Sequence, residues 1–366
     1  MENTLKKINN IPVRTWRWLG VNNVNINEAL PDVVPYNNEY VTSFEDNGIK
    51  INKMSQNISS DFNNTCTYTG LDELSLNQAK NSYNTGVFVH VDQYKKHEEP
   101  VVINYKMDAN NTTVVDNNLI IAEEGSEITV VINYDSSENT TSFHNGLTQI
   151  YAKANSVVNL IKIQTLSKDS LHLDAHAVKT EENAVVNYTA VDLGAKYAVT
   201  NYTDDLLGFR SSSNIHSIYL GDKDRVIDIN YLINHHGKSS NSNIETRGAL
   251  MDNSKKTFRG TLDFKKGCKK SRGQEEEYTV LLSPKVKNKS VPILLCTEED
   301  VDGQHAASAG RIDENKLFYI MSRGFSETEA KKLVIEAAFN PIINQIPSEE
   351  IRNKISTSIT RRLENE

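Results

Sequence analysis

The stretch 171–177 carries three side chains of the kinds that bind divalent metals, His172, Asp174 and His176. Apolar residues alternate with them, so a β-strand would place all three on one face. In a strand, however, the first and the last would lie about 13 Å apart, because each residue rises about 3.3 Å. The three are therefore either part of a metal-binding module that needs ligands from elsewhere, or the solvent-exposed face of an amphipathic strand.

A second candidate is His305, which follows an acidic segment. Glu298, Glu299, Asp300 and Asp302 all precede it closely. Such a pattern is typical of an acidic surface turn. It is also compatible with an imidazole that faces a metal, since the neighbouring carboxylates attract cations. The residues alone leave both interpretations open.

The rest of the sequence disfavours several classes of protein. It contains no G-x-S-x-G, Walker A or H-E-x-x-H motif. The formal net charge of −8 argues against a dedicated nucleic-acid binder. No apolar run approaches the length of a transmembrane helix, and the first twenty residues lack the apolar region of a signal peptide. We therefore expect a cytoplasmic protein with no nucleic-acid or membrane partner.

Three cysteines, Cys66, Cys268 and Cys296, are far apart in the sequence and form no C-x-x-C pair. A cluster site that this chain ligates wholly through its own cysteines is therefore disfavoured.

The chain divides into three stretches of different character. Residues 1–85 look irregular and helical, residues 86–315 consist of short Val/Ile/Tyr-rich runs between Gly, Asn and Asp turns, and residues 316–366 have helical periodicity. The predicted strands include 101–105, 119–122, 127–134, 157–163, 184–191 and 226–233.

Similar four-residue phrases precede some of these strands. They begin at Glu123, Lys153, Glu181 and Gly221, and the first three are about 28 to 30 residues apart. A weak repeat of one unit indicates a solenoid, whose coils bury their apolar faces on one another. No clear two-residue hairpin turns separate the strands, which favours a β-helix over a sandwich. The predicted fold is mainly β, a right-handed parallel β-helix flanked by N-terminal and C-terminal helical regions.

The last stretch predicts two amphipathic helices. Ser326 and Glu329 form a capping box at the start of the first, and Pro341 is expected to end or kink it. The predicted buried residues of this helix are Ala330, Leu333, Val334, Ala337 and Ala338, and those of the second are Ile351, Ile355 and Ile359. The pair either caps the open end of the solenoid or docks a partner.

Four segments, in order, resemble motifs of the SufB/SufD family of iron–sulfur cluster assembly scaffold proteins. They are FRGTLDF at 258–264, LLS at 281–283, EDVDGQHAASAGRID at 299–313 and LFYIMSRG at 317–324. The segment TWRWL at 15–19 adds weaker agreement. The chain is more similar to SufD members than to SufB members, because it lacks the cysteine-containing segment that SufB carries late in its β-helix.

The resemblance implies a non-catalytic scaffold subunit. Its expected partners are a SufB-like β-helix subunit and a SufC-like ATPase, which would supply ATP hydrolysis, with a homodimer as the alternative when SufB is absent. The isolated chain would hold no cofactor stably, while an iron–sulfur cluster would form transiently at the subunit interface.

Two sets of residues carry these implied roles. His305 matches the family histidine implicated as an iron or cluster ligand, and imidazole ligation of such irons is known chemistry. Gly303 replaces a family cysteine, so thiolates would come from the partner. The residues that match the ATPase-docking region are Phe318, Arg323, Gly324, Leu333, Val334 and Phe339.

The main alternative is an enzyme on a β-helix scaffold that acts on a carbohydrate polymer. It would need a groove of paired carboxylates with basic residues on one face, which the sequence does not clearly show.

Overall fold

A computed structural model of the chain describes residues 4–14, 17–55, 70–346 and 348–364. Within residues 1–85 the described part contains one α-helix, a 3₁₀ turn at Arg17–Leu19 and four short strands. The strands are β1 (Thr4–Ile8), β2 (Val24–Ala29), β3 (Phe44–Asp46) and β4 (Ile49–Lys53), and the helix is α1 (Glu73–Asn81). Asp72 caps the N-terminus of helix α1, since its side chain accepts a hydrogen bond from the backbone N–H of Ser75.

The rest of the chain up to residue 311 forms a long series of strands. They are β5 (Val87–Val91), β6 (Val101–Met107), β7 (Thr113–Ala122), β8 (Glu127–Ser136), β9 (Phe143–Ala152), β10 (Val157–Thr165), β11 (Leu171–Thr180), β12 (Val185–Asp192), β13 (Tyr197–Leu206), β14 (Ser212–Gly221), β15 (Val226–His235), β16 (Asn241–Leu250), β17 (Lys255–Phe264), β18 (Ser271–Leu281), β19 (Lys287–Cys296) and β20 (Val301–Arg311). The predicted strands coincide with parts of β6, β7, β8, β10, β12 and β15.

These strands alternate between two sheets. The even-numbered strands from β6 to β20 form an eight-stranded sheet, and the odd-numbered strands from β5 to β19, extended by β4 and β3, form a ten-stranded sheet. From β5 onward, each strand runs parallel to the strand two places along the chain, so that Leu160 pairs with Tyr188 and Tyr188 with Ile215. The fold is therefore a parallel β-solenoid, as the sequence predicted.

The four-residue phrases are the turns that join the coils. The third residue of each one has a positive φ, 67° at Gly125, 61° at Asn155, 53° at Asn183 and 53° at Lys223. Glycine and asparagine adopt this conformation at low cost, which explains their recurrence there. The first three turns lead into the even sheet, but the fourth leads into β15 of the odd sheet. The longer spacing before Gly221 therefore reflects a different corner of the coil.

The interior of the solenoid is filled by every second residue of each strand. Apolar side chains from both sheets form one continuous buried cluster, which includes stacked tyrosine pairs. The ring centroids of Tyr105 and Tyr134 are 5.4 Å apart, and those of Tyr188 and Tyr202 are 4.9 Å apart. Tyr105 and Tyr134 are register partners in adjacent coils, as a parallel, in-register repeat favours, whereas Tyr188 and Tyr202 lie on consecutive strands of the two sheets.

The N-terminal elements cover the outer face of the odd sheet. Leu5, Ile8 and Ile26 of β1 and β2, together with Ala79 of α1, pack on residues such as Leu173. A buried side chain also links the N-terminal segment to the solenoid, since Arg259 pairs with Asp228 and donates to the carbonyl of Asn9 at 2.9 Å. This covering buries both faces of several odd-numbered strands.

The C-terminal segment forms three helices, α2 (Glu314–Ser322), α3 (Glu327–Ile343) and α4 (Glu349–Glu364). Helices α3 and α4 lie along the outer face of the even sheet, where Phe339 and Ile355 pack on Ile161 and Ile218. They therefore do not cap the open end of the solenoid, and that expectation was wrong. The apolar outer residues of the even strands provide the surface that holds the helices on the side of the coil.

The predicted helix signals were confirmed in part. The capping box of Ser326 and Glu329 is present, and Ile351, Ile355 and Ile359 are buried. The predicted face of the first helix was right only in part. Ala330 and Ala338 are buried and Val334 is partly buried, but Leu333 and Ala337 are exposed. The other buried residues of the helix are Ile335, Phe339, Ile342 and Ile343. Helix α3 continues two residues past Pro341. None of the helices in the described part of the chain has the length and apolar character that a membrane crossing needs.

Candidate functional site

His305 lies on β20, the last strand of the even sheet. Among the described residues, β20 pairs with β18 on one side only, and β19 likewise pairs only with β17. From Gln304 to its end the strand is exposed, unlike the equivalent residues of the preceding coils. The solenoid therefore ends in two strand edges whose backbone groups are free to pair.

His305 stacks on an acidic residue of the preceding coil. In the parallel register it pairs with Glu275 of β18, and Gly303 pairs with Gly273. Side chains of register partners in a parallel pair point to the same face. Glu275 is fully buried, so the row that is interior in β18 continues onto β20, where it is exposed. His305 is thus an interior-row residue that the end of the solenoid leaves uncovered.

Glu275 is unusual because its carboxyl group has no partner. Both of its carboxyl oxygens are buried without a hydrogen bond among the described groups. Burial, and secondarily the charge of Glu277, raises the pKa of Glu275 to about 9. The side chain fits because Gly260 has no Cβ, which would lie 2.3 Å from Oε1 of Glu275. A buried acid with unused oxygens, one coil from His305, is available to donate a hydrogen bond or to ligate a cation.

Glu277 is the second interior acid of β18, and one of its two carboxyl oxygens, Oε1, has partners. Glu277 forms a buried ion pair with Lys256 and accepts a hydrogen bond from the hydroxyl of Tyr219 at 3.0 Å. Lys256 also donates to Ser290 Oγ at 3.1 Å. This cation is therefore engaged by Glu277, which leaves Glu275 as the uncompensated acid of the pair.

Gly303 lies in a groove of about 660 Å³ at the end of the solenoid. A Cβ at this position would lie 2.8 Å from Cδ1 of Leu294 and 3.0 Å from Cε2 of Phe264. These side chains occupy the space that a cysteine at 303 would need. The same groove contains Cys296, an exposed free cysteine whose Sγ lies 2.9 Å from the carbonyl oxygen of Glu298. A thiol is therefore present near the end of the solenoid, although not at the position that the family pattern gives.

The sequence did not single out Glu275 or Cys296. The repeat could have pointed to Glu275, because this residue precedes His305 by about 30 residues, which is one coil length. The signal for Cys296 was its position just before the acidic segment that begins at Glu298. Of the other cysteines, Cys268 is buried and Cys66 lies outside the described residues.

His172, Asp174 and His176 are not on a solvent-exposed face, and that interpretation was wrong. All three are buried, because they point into the solenoid while the alternate residues are covered by the N-terminal elements. The described residues contain no group of three or more His, Cys, Asp and Glu side chains placed to hold a metal ion. The stretch therefore does not form the metal module considered from the sequence.

The interior partners of these residues are polar groups of neighbouring coils. His172 Nδ1 lies 2.8 Å from His144 Nδ1, and His144 Nε2 lies 2.5 Å from Asp116. Lys162 donates to Asp174 at 2.7 Å. Burial raises the pKa of Asp174 to about 7, against the opposing charge of Lys162, and burial holds the pKa of His172 well below its ordinary value. His176 Nδ1 lies 3.0 Å from the carbonyl oxygen of Asn201, whereas its Nε2 has no hydrogen-bond partner among the described groups.

The residues that match the ATPase-docking region differ in their exposure to solvent. Phe318 of α2 is 71% exposed, and Arg323, Gly324 and Leu333 are also exposed. Val334 is only partly buried against the helix–sheet core. Phe339, however, is 0% exposed and packs in that core, so its side chain supports α3 and is not available to a partner.

Comparison with known proteins shows that the chain is similar to members of one family. The family model described as SUF system FeS cluster assembly, SufBD core domain, matches residues 105–338. The iron-sulfur cluster assembly protein SufD of Bacillus subtilis is 27% identical over 282 residues, which are 76% of this chain and 64% of that protein. The SufBD family proteins of Staphylococcus saprophyticus and Staphylococcus haemolyticus are each 24% identical over 265 residues. The chain spans 57% of the length of these two and less than two thirds of each of the three relatives.

Proposed function

Because this chain belongs to the SufBD family of iron–sulfur cluster assembly proteins, we propose that it is a SufD-type scaffold subunit without catalytic activity of its own. Its partners are a second, SufB-like β-helix subunit and a SufC-like ATPase that supplies ATP hydrolysis. The observation that carries the proposal is the open end of the solenoid, where His305 lies exposed in the interior row. The family assignment favours this scaffold over a β-helix enzyme acting on a carbohydrate polymer.

The SufB-like subunit pairs with the end strands β19 and β20. Both strands have an unpaired edge in the described structure, and strand edges are sites at which another chain adds a strand. Leu294 is exposed in the same end face and supplies apolar area for the contact. Without a SufB-like subunit, a second copy of this chain would meet the same edges.

The nascent cluster forms at this junction, and His305 is this chain's ligand to iron. Imidazole and carboxylate are suitable ligands for ferrous iron, whereas the sulfur-rich ligation of a cluster requires thiolates. Glu275 lies in the adjacent coil of the same row and has unused oxygens. The thiolates come chiefly from the partner, and the isolated chain retains no stable cluster.

The ATPase docks on the exposed part of the C-terminal helices. Phe318, Arg323, Gly324 and Leu333 present apolar and cationic groups there. Arg323 lies over the ring of the exposed Tyr319, 5.1 Å from its centroid, and exposed aromatic residues with arginine are the composition that protein interfaces favour. Because α3 packs on the even sheet, movement of a docked ATPase would be transmitted to the coil that carries His305. The complex works in the cytoplasm, with no nucleic-acid or membrane partner.

The experiment that tests the proposal is co-expression of the tagged chain with a SufB-like subunit and a SufC-like ATPase, followed by native mass measurement. We expect a complex that contains all three subunits, and no ATP hydrolysis by this chain alone. Recovery of the chain only by itself, under conditions in which the other two subunits associate, would overturn the proposal.

A further inference from the structure

We propose that the groove between α4 and the solenoid is a binding site for a phosphate-bearing anion. The groove has a volume of about 610 Å³ and lies between the last turns of α4 and the turns that follow β8, β10 and β14. It is on the side of the solenoid, whereas the site of His305 is at its end. The proposal goes beyond the scaffold function and does not rest on it.

The lining of the groove has an excess of positive charge. Its basic residues are Lys168, Lys223, Arg225, Lys354, Arg361 and Arg362. Three acidic residues oppose them: Glu138 pairs with Arg361, Asp222 pairs with Arg225, and Asp135 accepts a hydrogen bond from Thr165 at 2.9 Å and keeps its charge. Six cations therefore face three carboxylates, and Asp222 is the carboxylate that lies beside Arg225 and Arg362.

Arg225 and Arg362 share this one carboxylate. Oδ1 of Asp222 lies 2.8 Å from Nε of Arg225 and 3.7 Å from Nη1 of Arg362. Arg225 is 3% exposed, and its Nε has no aligned hydrogen-bond acceptor among the described groups. Two guanidinium groups around one carboxylate leave a net positive charge in a place that is largely removed from water.

The charge of Asp224 also acts on Arg225, and the other contacts of the two arginines are to uncharged carbonyl groups. Arg225 donates to the carbonyl of Leu193 at 2.6 Å, and Arg362 lies 3.4 Å from the carbonyl of Leu166. Burial, and secondarily the charge of Arg225, lowers the pKa of Arg362 to about 9. An anion in the groove would relieve this repulsion, because it adds negative charge where the two guanidinium groups converge.

Three lysines at the mouth of the groove can contribute further charge. Within the described part of the chain, Lys168, Lys223 and Lys354 form no ion pair. The backbone of Lys223 is held in its turn, since its N–H donates to Asp252 at 2.7 Å. Lysine ammonium groups around a pair of arginines match an oxyanion that carries more than one negative charge.

The chemistry of the lining selects phosphate over other small anions. Arginine guanidinium groups bind the oxygens of a phosphate through paired N–H donors, and several cations favour its multiple charge. The groove is large enough for a small phosphorylated molecule as well as for the inorganic ion. A single phosphate, a pyrophosphate and a nucleoside diphosphate share this recognition and are distinguished by the test.

The test is isothermal titration of the full chain at low ionic strength with inorganic phosphate, pyrophosphate and ADP in separate arms. We expect saturable binding of at least one at a single site, and the arm with the highest affinity identifies the ligand size. Arg362→Gln should weaken binding by about tenfold or more, because it removes a charge-assisted donor. Lys223→Gln should weaken it less, since its ammonium group lies on a flexible stem.

The matched control is Arg210→Gln, which removes an exposed arginine that lies outside the groove. It should leave the affinity unchanged, and circular dichroism should show that each variant is folded. The proposal is overturned if none of the three anions binds saturably. It is equally overturned if Arg362→Gln binds as wild type does, or if Arg210→Gln weakens binding as much as Arg362→Gln.

Discussion

His305 and Glu275 are register partners in adjacent coils, yet one side chain is exposed and the other is fully buried. The difference arises because no strand of the described chain follows β20 in its sheet. A partner strand added at that edge would bury His305 as β20 buries Glu275. Pairing would therefore bring an imidazole and a carboxyl group without a partner into one enclosed space.

Glu275→Gln should stabilise the protein at about pH 8 by ~1–3 kcal/mol and much less at about pH 5. The pKa of Glu275 is raised from 4.5 to about 9 in the folded state, so the folded state binds more protons between these values. Stability therefore falls as the pH rises through this window, and a neutral amide removes the loss. Urea denaturation at the two pH values measures it.

The control for this prediction is Glu276→Gln, which changes an exposed neighbour on the opposite face of β18. It should alter stability little at either pH. A destabilising effect of Glu275→Gln at about pH 8, with a normal control, would show that the carboxyl group has a partner after all.

Lys256→Met should destabilise the folded chain by ~3–5 kcal/mol, because it leaves the carboxylate of Glu277 buried without its cation. The double variant Lys256→Met, Glu277→Gln should recover most of that loss, since the pair is then removed as a unit. Both values come from urea denaturation. If the double variant is no more stable than the single one, the ion pair does not explain the cost.

Phe318→Ala should leave the free energy of unfolding nearly unchanged, because the side chain is 71% exposed. It should reduce co-purification of the SufC-like ATPase by about tenfold or more, as expected for an aromatic contact at the centre of an interface. Tyr94→Ala, at an exposed aromatic residue outside the C-terminal helices, is the matched control. Equal losses in both variants, or none with Phe318→Ala, would contradict docking on α2.

Phe339→Ala should act in the opposite way and destabilise the chain by ~3–5 kcal/mol, since it opens a cavity between α3 and the even sheet. Thermal unfolding with a circular dichroism signal measures the change. At temperatures where the variant remains folded, ATPase binding should be retained. A selective loss of ATPase binding with unchanged stability would instead place Phe339 in the interface.

The repetitive part of the fold was predictable because its signals are local. Strand-like runs recur in the sequence, and so do turns that require a positive φ. Asn155 and Asn183 occupy such turn positions, and asparagine adopts a positive φ at low cost. The site itself depends on which coils are adjacent. A weak repeat gives the approximate coil length, but only the register shows that Glu275 lies beside His305.

The sequence could not show which faces of the two sheets are covered by the N-terminal elements and the C-terminal helices. The alternation of polar and apolar residues in β11 predicted a solvent-exposed face that includes His172. In the structure, the N-terminal elements cover the outer face of this strand, and the interior of the solenoid encloses the face that carries His172. In the same way, the face that α3 buries depends on the outer residues of the even sheet, so Ile335 and Phe339 replace Leu333 as contacts. Such contacts join residues far apart in the chain and leave no local pattern.

We propose that a partner subunit and this chain assemble a cluster at the open end of this solenoid. The most direct measurement is the iron and sulfide content of the co-expressed, anaerobically purified complex with wild-type chain and with His305→Ala. We predict that His305→Ala assembles normally but holds less than about half of the wild-type iron and sulfide, because one ligand is lost. Equal iron and sulfide in the two complexes would contradict the claim.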